Sequence, residues 1–241
     1  DFPTIPQIPG GLLGADYIFE NGFAKIKKIY SGENWNPELV SPLSGPGMDI
    51  KEGDYIIEVD GRAVNTTVNF YSLFEGTAGK QVKLLVNNKP AKEGARLITA
   101  VPILSESGLR SRNWVENNRR KVDELSNGKL AYVYVPNTSG AGYTYFNRYY
   151  FAQQDKKGAV IDERNNGGGS AADYMIDIMG RQLQGYFNNR VEGNNVSTTP
   201  MAGIWGPKVM IINENAGSGG DLLPYMFRKM KIGPLIGTRT W

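Results

Sequence analysis

The stretch "IINENAGSGGDLLPYMF", Ile211 to Phe227, passes from an apolar strand pattern to an amphipathic helix pattern through a glycine-rich corner. "VIDERNNGGGSAADYM", Val160 to Met175, does the same. Working outward, "KLAYVYVP" (Lys129–Pro136), "GAVID" (Gly158–Asp162), "PKVMIIN" (Pro207–Asn213) and "PLIG" (Pro234–Gly237) read as strands. Between them, "YTYFNRYYFAQQ" (Tyr143–Gln154), "SAADYMIDIMGRQL" (Ser170–Leu183) and Ser218 to Met230 read as helices. Strand–helix alternation builds a mostly parallel sheet with helices on its faces, and sites in such sheets lie beyond the carboxyl ends of the strands.

The preceding part has a different rhythm. Residues 1–10 carry three prolines and read as an extended linker. From Gly11 to about residue 104, "DYIFE" (Asp16–Glu20), "FAKIKKIY" (Phe23–Tyr30), "DYIIEVDG" (Asp54–Gly61), "QVKLLVN" (Gln81–Asn87) and "ARLITAVPI" (Ala95–Ile103) are strand-like. "VNFYSLFEGTAG" (Val68–Gly79) supplies one short helix ended by glycine. These residues predict a small β-barrel or sandwich with its own core. In "RSRNWVENNRRKVDELSNG" (Arg110–Gly128), Trp114, Val115, Val122 and Leu125 mark one helix face, and Asn127-Gly128 is a stop signal. The reading is therefore a linker at 1–10, a β-rich domain at 11–104 and an α/β domain at 105–241, whose sheet is unfinished at its C-terminal end.

Composition removes several function classes. The formal net charge is +3, with basic residues such as Lys25, Lys27 and Lys28 dispersed along a strand, which argues against nucleic acid as a partner. No apolar run approaches the roughly 20 residues needed to cross a bilayer. The start, "DFPTIPQIPG", has neither a signal-peptide layout nor a Met, so a piece of a longer protein is expected. With no Cys and no His, neither a disulfide nor a zinc site is expected, and no cofactor is called for.

The two glycine corners carry the chemistry. Glycines free backbone N–H groups to converge on one spot, and the following helix N-terminus adds partial positive charge. Two readings compete for each serine. Ser170 with Asp173, and Ser218 with Asp221, fit the S-x-x-[DE] capping box, which would make each hydroxyl a helix cap. Ser218, however, has glycine on both sides, and a serine on a tight strand-to-helix turn is how other hydrolases present a nucleophile. A phosphate cradle fits less well, because neither corner supplies G-K-[ST] or G-x-G-x-x-G. For Asp162-Glu163-Arg164, an Arg–carboxylate pair anchoring the loop is favoured over a carboxylate in the site.

With "AVIDERNNGGGSAADY", "NENAGSGGD" and "GTRTW" in this order, the chain resembles the tricorn protease family, relatives of the C-terminal processing peptidases. "GLLGADY", "SPLSGPGMDIKEGDYIIEVDGR" and "VKLLVN" resemble the PDZ domain of that family. The resemblance spans Gly11 to Trp241. It implies a PDZ-like β-barrel followed by a partial ClpP/crotonase-like α/β domain. It implies a serine peptidase in which Ser218 attacks a peptide carbonyl and forms an acyl-enzyme. Backbone N–H groups of Gly219 and of Gly167 or Gly168 would form the oxyanion hole. The loop Gly11, Leu12, Leu13, Gly14 would bind peptide, and the domain carrying it would serve substrate binding or gating. The implied partner is a peptide or unfolded polypeptide substrate, with a homo-oligomer of the full-length protein among the family's assemblies.

One departure stands out. A serine hydroxyl needs a base, and this chain offers no imidazole. The resemblance places the base outside these residues, either a His ahead of Asp1 or a Lys soon after Trp241. Lys229 and Lys231 match no motif position and read as a basic helix end. The chain alone is expected to be inactive, and the competing expectation is a non-catalytic peptide-binding scaffold.

Overall fold

The computed structural model describes residues 8–33, 35–188, 190 and 196–241. They form two compact units that divide between Trp114 and Val115. Seven of the ten residues expected to be a linker, 1–7, lie outside the described residues.

The first unit is an antiparallel sheet. Its strands are β1 (Ala15–Glu20), β2 (Phe23–Ile29), β3 (Tyr55–Val59), β4 (Arg62–Ala63), β5 (Val82–Asn87) and β6 (Arg96–Ala100). The order is β1-β2-β3-β5-β6, with β4 paired to β3. Asn21 and Gly22, at φ 52° and 83°, join β1 to β2, and two left-handed residues suit the right-handed twist of a tight hairpin. Ala24, Ile26, Ile56, Val59, Leu84 and Val86 build the core with Phe70 and Phe74. The two aromatics come from the expected short helix, which is a 3-10 turn over Phe70–Phe74, started by the Asn69 side chain accepting the Tyr71 N–H.

Helix α1 (Ser107–Leu125) follows. Asn127 and Gly128 sit beyond it at φ 50° and 73°, matching the expected stop. Its expected apolar face is only partly right: Val115 is buried, but Leu125 is 76% exposed. Spacing put Leu125 on the stripe, yet in the last turn Val122 is only half-buried and Leu125 faces solvent.

The second unit contains β7 (Leu130–Tyr134), α2 (Gly140–Phe151), β8 (Gly158–Asp162), α3 (Ala172–Met179), β9 (Gly185–Asn188), β10 (Val196–Thr199), β11 (Lys208–Ile212), α4 (Gly219–Lys229) and β12 (Leu235–Gly237). Strands β12-β11-β8-β7 form a wholly parallel sheet. Strands β7 and β8 are buried along most of their length, as expected where both faces are covered, whereas β12 at the edge has no buried residue. The register pairs Tyr134 with Asp162, Asp162 with Ile211 and Ile212 with Gly237, so the carboxyl ends finish level. Consequently the corners after β7, β8 and β11 emerge side by side.

One difference from the sequence reading occurs here. Helix α3 ends at Met179, four residues early, with Gly180 as its C-cap. The excursion between Gln184 and Gly203 contains the antiparallel pair β9–β10, which exposes Tyr186 and Phe187 to solvent. Residues 189 and 191–195 of that excursion lie outside the described residues.

Candidate active site

The three corners are laced together by backbone and amide groups. From the β8 corner, the Gly167 N–H donates to the Pro136 carbonyl at 3.1 Å, and the Gly168 carbonyl accepts the Thr138 N–H at 3.0 Å. The Ala171 N–H in turn reaches the Thr138 carbonyl at 2.6 Å. Toward the β11 corner, the Asn166 carbonyl accepts the Gly217 N–H at 3.1 Å. Asparagines complete the lacing. Asn213 accepts the Asn165 N–H at 2.8 Å, and its own amide donates back to Asn165 Oδ1 at 2.9 Å. Asn215 adds a second bond to that oxygen at 3.2 Å. Asn165 holds φ at 63°, a conformation that asparagine tolerates better than most side chains.

Glycine is required where the corners touch. A Cβ on Gly219 would overlap Thr138 Oγ1 and the Gly169 carbonyl, and one on Gly220 would stand 2.8 Å from the Asn166 carbonyl. Gly167 has open space around it.

Ser218 occupies the end of the β11 corner with φ 58° and ψ −115°. This is sparsely populated backbone for any residue with a side chain, and such strain costs of order 1–3 kcal/mol. It stands at the N-cap of α4, but its side chain makes no capping bond and the residue is exposed. Its backbone carbonyl takes the Asp221 and Leu222 N–H groups instead, at 2.9 and 3.1 Å. The capping-box reading of Ser218 therefore fails. It fails for Ser170 too, since α3 begins from Ala171 and has no side-chain cap. The hydroxyl of Ser218 is left beside a helix N-terminus, where negative charge is favoured.

Of the expected oxyanion donors, Gly219 is the unspent one. Among the described residues its N–H donates to no protein acceptor. Gly167 and Gly168 differ from expectation: the first gives its N–H to Pro136, and the second gives its own to Asn166 Oδ1 at 2.9 Å. The corner needs those bonds to hold its shape, so in this conformation neither amide is available to a ligand.

The anchoring role assigned to Asp162 and Arg164 is realised. Arg164 clamps the fully buried Asp162 in bidentate fashion, at 2.9 and 2.6 Å, and the Tyr132 hydroxyl adds a bond of 2.7 Å. Burial first, and the charge of Asp162 second, push the Tyr132 phenol well above its ordinary value. Between this clamp and the corner lies Glu163, fully buried, whose Oε2 accepts the Asn166 amide at 3.1 Å. Sequence reasoning missed Thr138 and Asn166, both fully buried. The signal was present, because "PNTSG" after β7 is a third strand–turn–helix corner.

Beside α4, a cleft of about 830 Å³ is lined by Ile212, Asp221, Pro224, Arg228, Leu235 and Arg239, among others. The lysines near the end of α4 are occupied or outward: Lys229 bonds the Tyr225 hydroxyl at 3.0 Å, and Lys231 is exposed. Lys208 lies at the opposite, amino end of β11. Among the described residues, no group of three or more acidic side chains is placed to hold a metal ion, and no helix is long and apolar enough to cross a membrane.

In the first unit, the loop Gly11–Gly14 already spends two of its N–H groups. Gly11 donates to Phe74 and Leu12 to Ile103, both at 2.8 Å.

Comparison with known proteins places both units among known families. Residues 11–105 match the family described as Tricorn protease PDZ domain, and residues 129–241 match Peptidase family S41. The chain is 34% identical to Tricorn protease homolog 1 of Streptomyces coelicolor, over 96% of this chain and 22% of that protein. It is 34% identical to the Tricorn protease homolog of Saccharolobus solfataricus, over 100% of this chain and 22% of that protein. A solved structure, "Crystal structure of the tricorn protease", superposes with a TM-score of 0.87 at 31% identity, covering 97% of this chain and 22% of that one. The chain thus spans about a fifth of the length of these relatives.

Proposed function

Since the chain belongs to the tricorn protease family, with residues 129–241 in peptidase family S41, we propose that it carries the nucleophile of a serine peptidase acting on peptides or unfolded polypeptides. Ser218 Oγ attacks the scissile carbonyl as a base takes its proton, the C–N bond breaks and the amine leaves with that proton, and water then hydrolyses the acyl-enzyme to release the acid and restore the Ser218 hydroxyl. The Gly219 N–H and the N-terminus of α4 stabilise the oxyanion, a role for which one aimed donor supplies roughly 3 kcal/mol. The cleft beside α4 offers room for an extended chain. A PDZ-like domain at 11–104 captures or gates substrate for an α/β peptidase domain at 105–241.

The observation that carries this reading is the state of Ser218: exposed, uncapped and held in strained backbone at the helix start. A helix cap would need none of these.

The general base is not a histidine of these 241 residues, because they include none. We place it outside them, so the chain alone does not turn over peptide while the full-length protein does. The test is peptide hydrolysis and fluorophosphonate labelling of the full-length protein. Hydrolysis that Ser218→Ala abolishes, with label on Ser218, supports the reading. Absence of both makes the protein a peptide-binding scaffold, and turnover by the isolated chain removes the external base.

A further inference from the structure

Buried polar atoms in native proteins nearly always find partners, so those that do not call for a reason. Among the described residues, Thr138 Oγ1, Glu163 Oε1 and Asp221 Oδ1 are buried side-chain oxygens with no hydrogen-bond partner. All three belong to the corners around Ser218 or to the first turn of α4.

Glu163 is the most demanding of them. It is wholly inaccessible, it directly follows the last residue of β8, and its backbone N–H is tied to the Ile211 carbonyl at 3.0 Å. Its Oε2 receives the Asn166 amide. The oxygen of that same amide receives the Gly168 N–H, and the Asn166 backbone carbonyl receives the Gly217 N–H. One carboxyl group therefore stands at the root of a relay that sets both glycine corners. The groups facing it are acidic: Asp221 from α4 and Asp162 from β8. Arg164, the nearest cation in sequence, is committed to Asp162.

We propose that Glu163 is a positioning residue, a carboxyl kept neutral under the Ser218 corner so that it orients the Asn166 amide and, through it, both glycine turns. A neutral carboxyl lowers the cost of this arrangement, because it removes one of the like charges that face each other in the core and gives the partnerless Oε1 a proton to donate. An ionised Glu163 would instead set an unpaired charge in the core facing a second carboxylate, which is the arrangement in which one of two acids holds its proton. Burial first, then the charge of Asp221 and that of Asp162, push the group up to about 9, with the Asn166 bond opposing. Raising pH through that value would ionise Glu163 and set it against the Asp221 and Asp162 carboxylates in the core, and that repulsion would displace the root of the relay and loosen the Gly168 and Gly217 corners.

The catalytic consequence rests on the peptidase reading, but the structural one does not, and the experiment separates them. Amide resonances of Gly168, Gly217 and the Asn166 side chain are followed by NMR from pH 6 to 10.5 in the 241-residue chain. Wild type, Ser218→Ala, Glu163→Gln and Asp221→Asn are compared. The expected result is one shared transition near pH 9 in wild type and in Ser218→Ala. It should be absent in Glu163→Gln, whose amide cannot ionise, and shifted to lower pH in Asp221→Asn. In the full-length protein, kcat should fall across the same range with KM changing less, and Glu163→Gln should remove that alkaline limb. Corner resonances that titrate identically in Glu163→Gln overturn the proposal, as does an Asp221→Asn midpoint equal to that of wild type. If the transition follows Glu163 while the full-length protein hydrolyses nothing, positioning stands and the peptidase reading falls.

Discussion

Gly168 and Ser218 meet across two corners of one sheet so closely that a Cβ placed on the glycine would lie 2.8 Å from the serine Cβ. No side chain fits there. Gly168 also holds φ at 82°, so its replacement is penalised by backbone and by contact alike. Its neighbour Gly167 has neither constraint.

Adjacent glycines should therefore respond in opposite ways. Gly168→Ala is expected to destabilise the chain by about 2–3 kcal/mol, combining overpacking with a disfavoured φ. Gly167→Ala should change stability by less than about 0.5 kcal/mol. Urea unfolding of the two variants makes the comparison, and equal losses would mean that the corners are not in contact.

The strain at Ser218 gives a second expectation. Ser218→Gly relieves a conformation costing of order 1–3 kcal/mol, against a glycine entropy cost of roughly 0.5–1 kcal/mol. A net gain of about 1 kcal/mol should follow, visible as a raised Tm, whereas Ser218→Ala keeps the strain and gains nothing. Both variants should be unreactive toward fluorophosphonate. A stability–activity trade at one residue is characteristic of functional sites.

Removing the clamp tests the anchor. Arg164→Ala leaves a fully buried Asp162 with the Tyr132 hydroxyl as its remaining side-chain donor, and breaking a buried pair in this way costs about 3 kcal/mol. Denaturation at neutral pH should show that loss. Arg164→Lys should recover only part of it, because an ammonium cannot reproduce the bidentate grip.

The pH dependence of stability isolates Glu163. Its folded-state value, about 9, lies above the unfolded value near 4.5. Between these limits the folded chain holds a proton that the unfolded chain has released, so this group's contribution falls as pH rises from about 4.5 to about 9 and is level beyond. The Tm of Glu163→Gln minus that of wild type should therefore grow steadily across this window. A difference that stays flat would show that Glu163 is ionised in the fold.

What could be read from sequence, and what could not, divides along physical lines. The parallel sheet was legible because strands containing "GAVI" and "VMII" are short apolar runs followed by glycine corners. Ser218 was legible because glycine on both sides is unusual for a helix start. The fate of individual N–H groups was not legible. Gly167 and Gly168 look alike in "NNGGGS", and only the positions of Pro136 and Asn166 reveal that both amides are already spent. The capping pattern misled for a related reason: S-x-x-D specifies a cap only when the serine is in extended backbone, and Ser218 is not. Pairing β9 with β10 joins segments separated by residues 189–195, which no local pattern encodes.

The bond from the Gly167 N–H to Pro136 also bears on how the molecule ages. Asn166-Gly167 is an Asn-Gly pair, the dipeptide most prone to lose its side-chain ammonia, and the reaction begins when the glycine nitrogen attacks the asparagine amide carbon. Here that nitrogen is engaged elsewhere and the amide is pinned between Gly168 and Glu163. Folding thus shelters the dipeptide, while each unfolding excursion exposes it to conversion into aspartate. A converted chain would carry another carboxylate next to Glu163 and Asp221, and could not return to the same corner. Its lifetime as a competent molecule is then set by how often it opens.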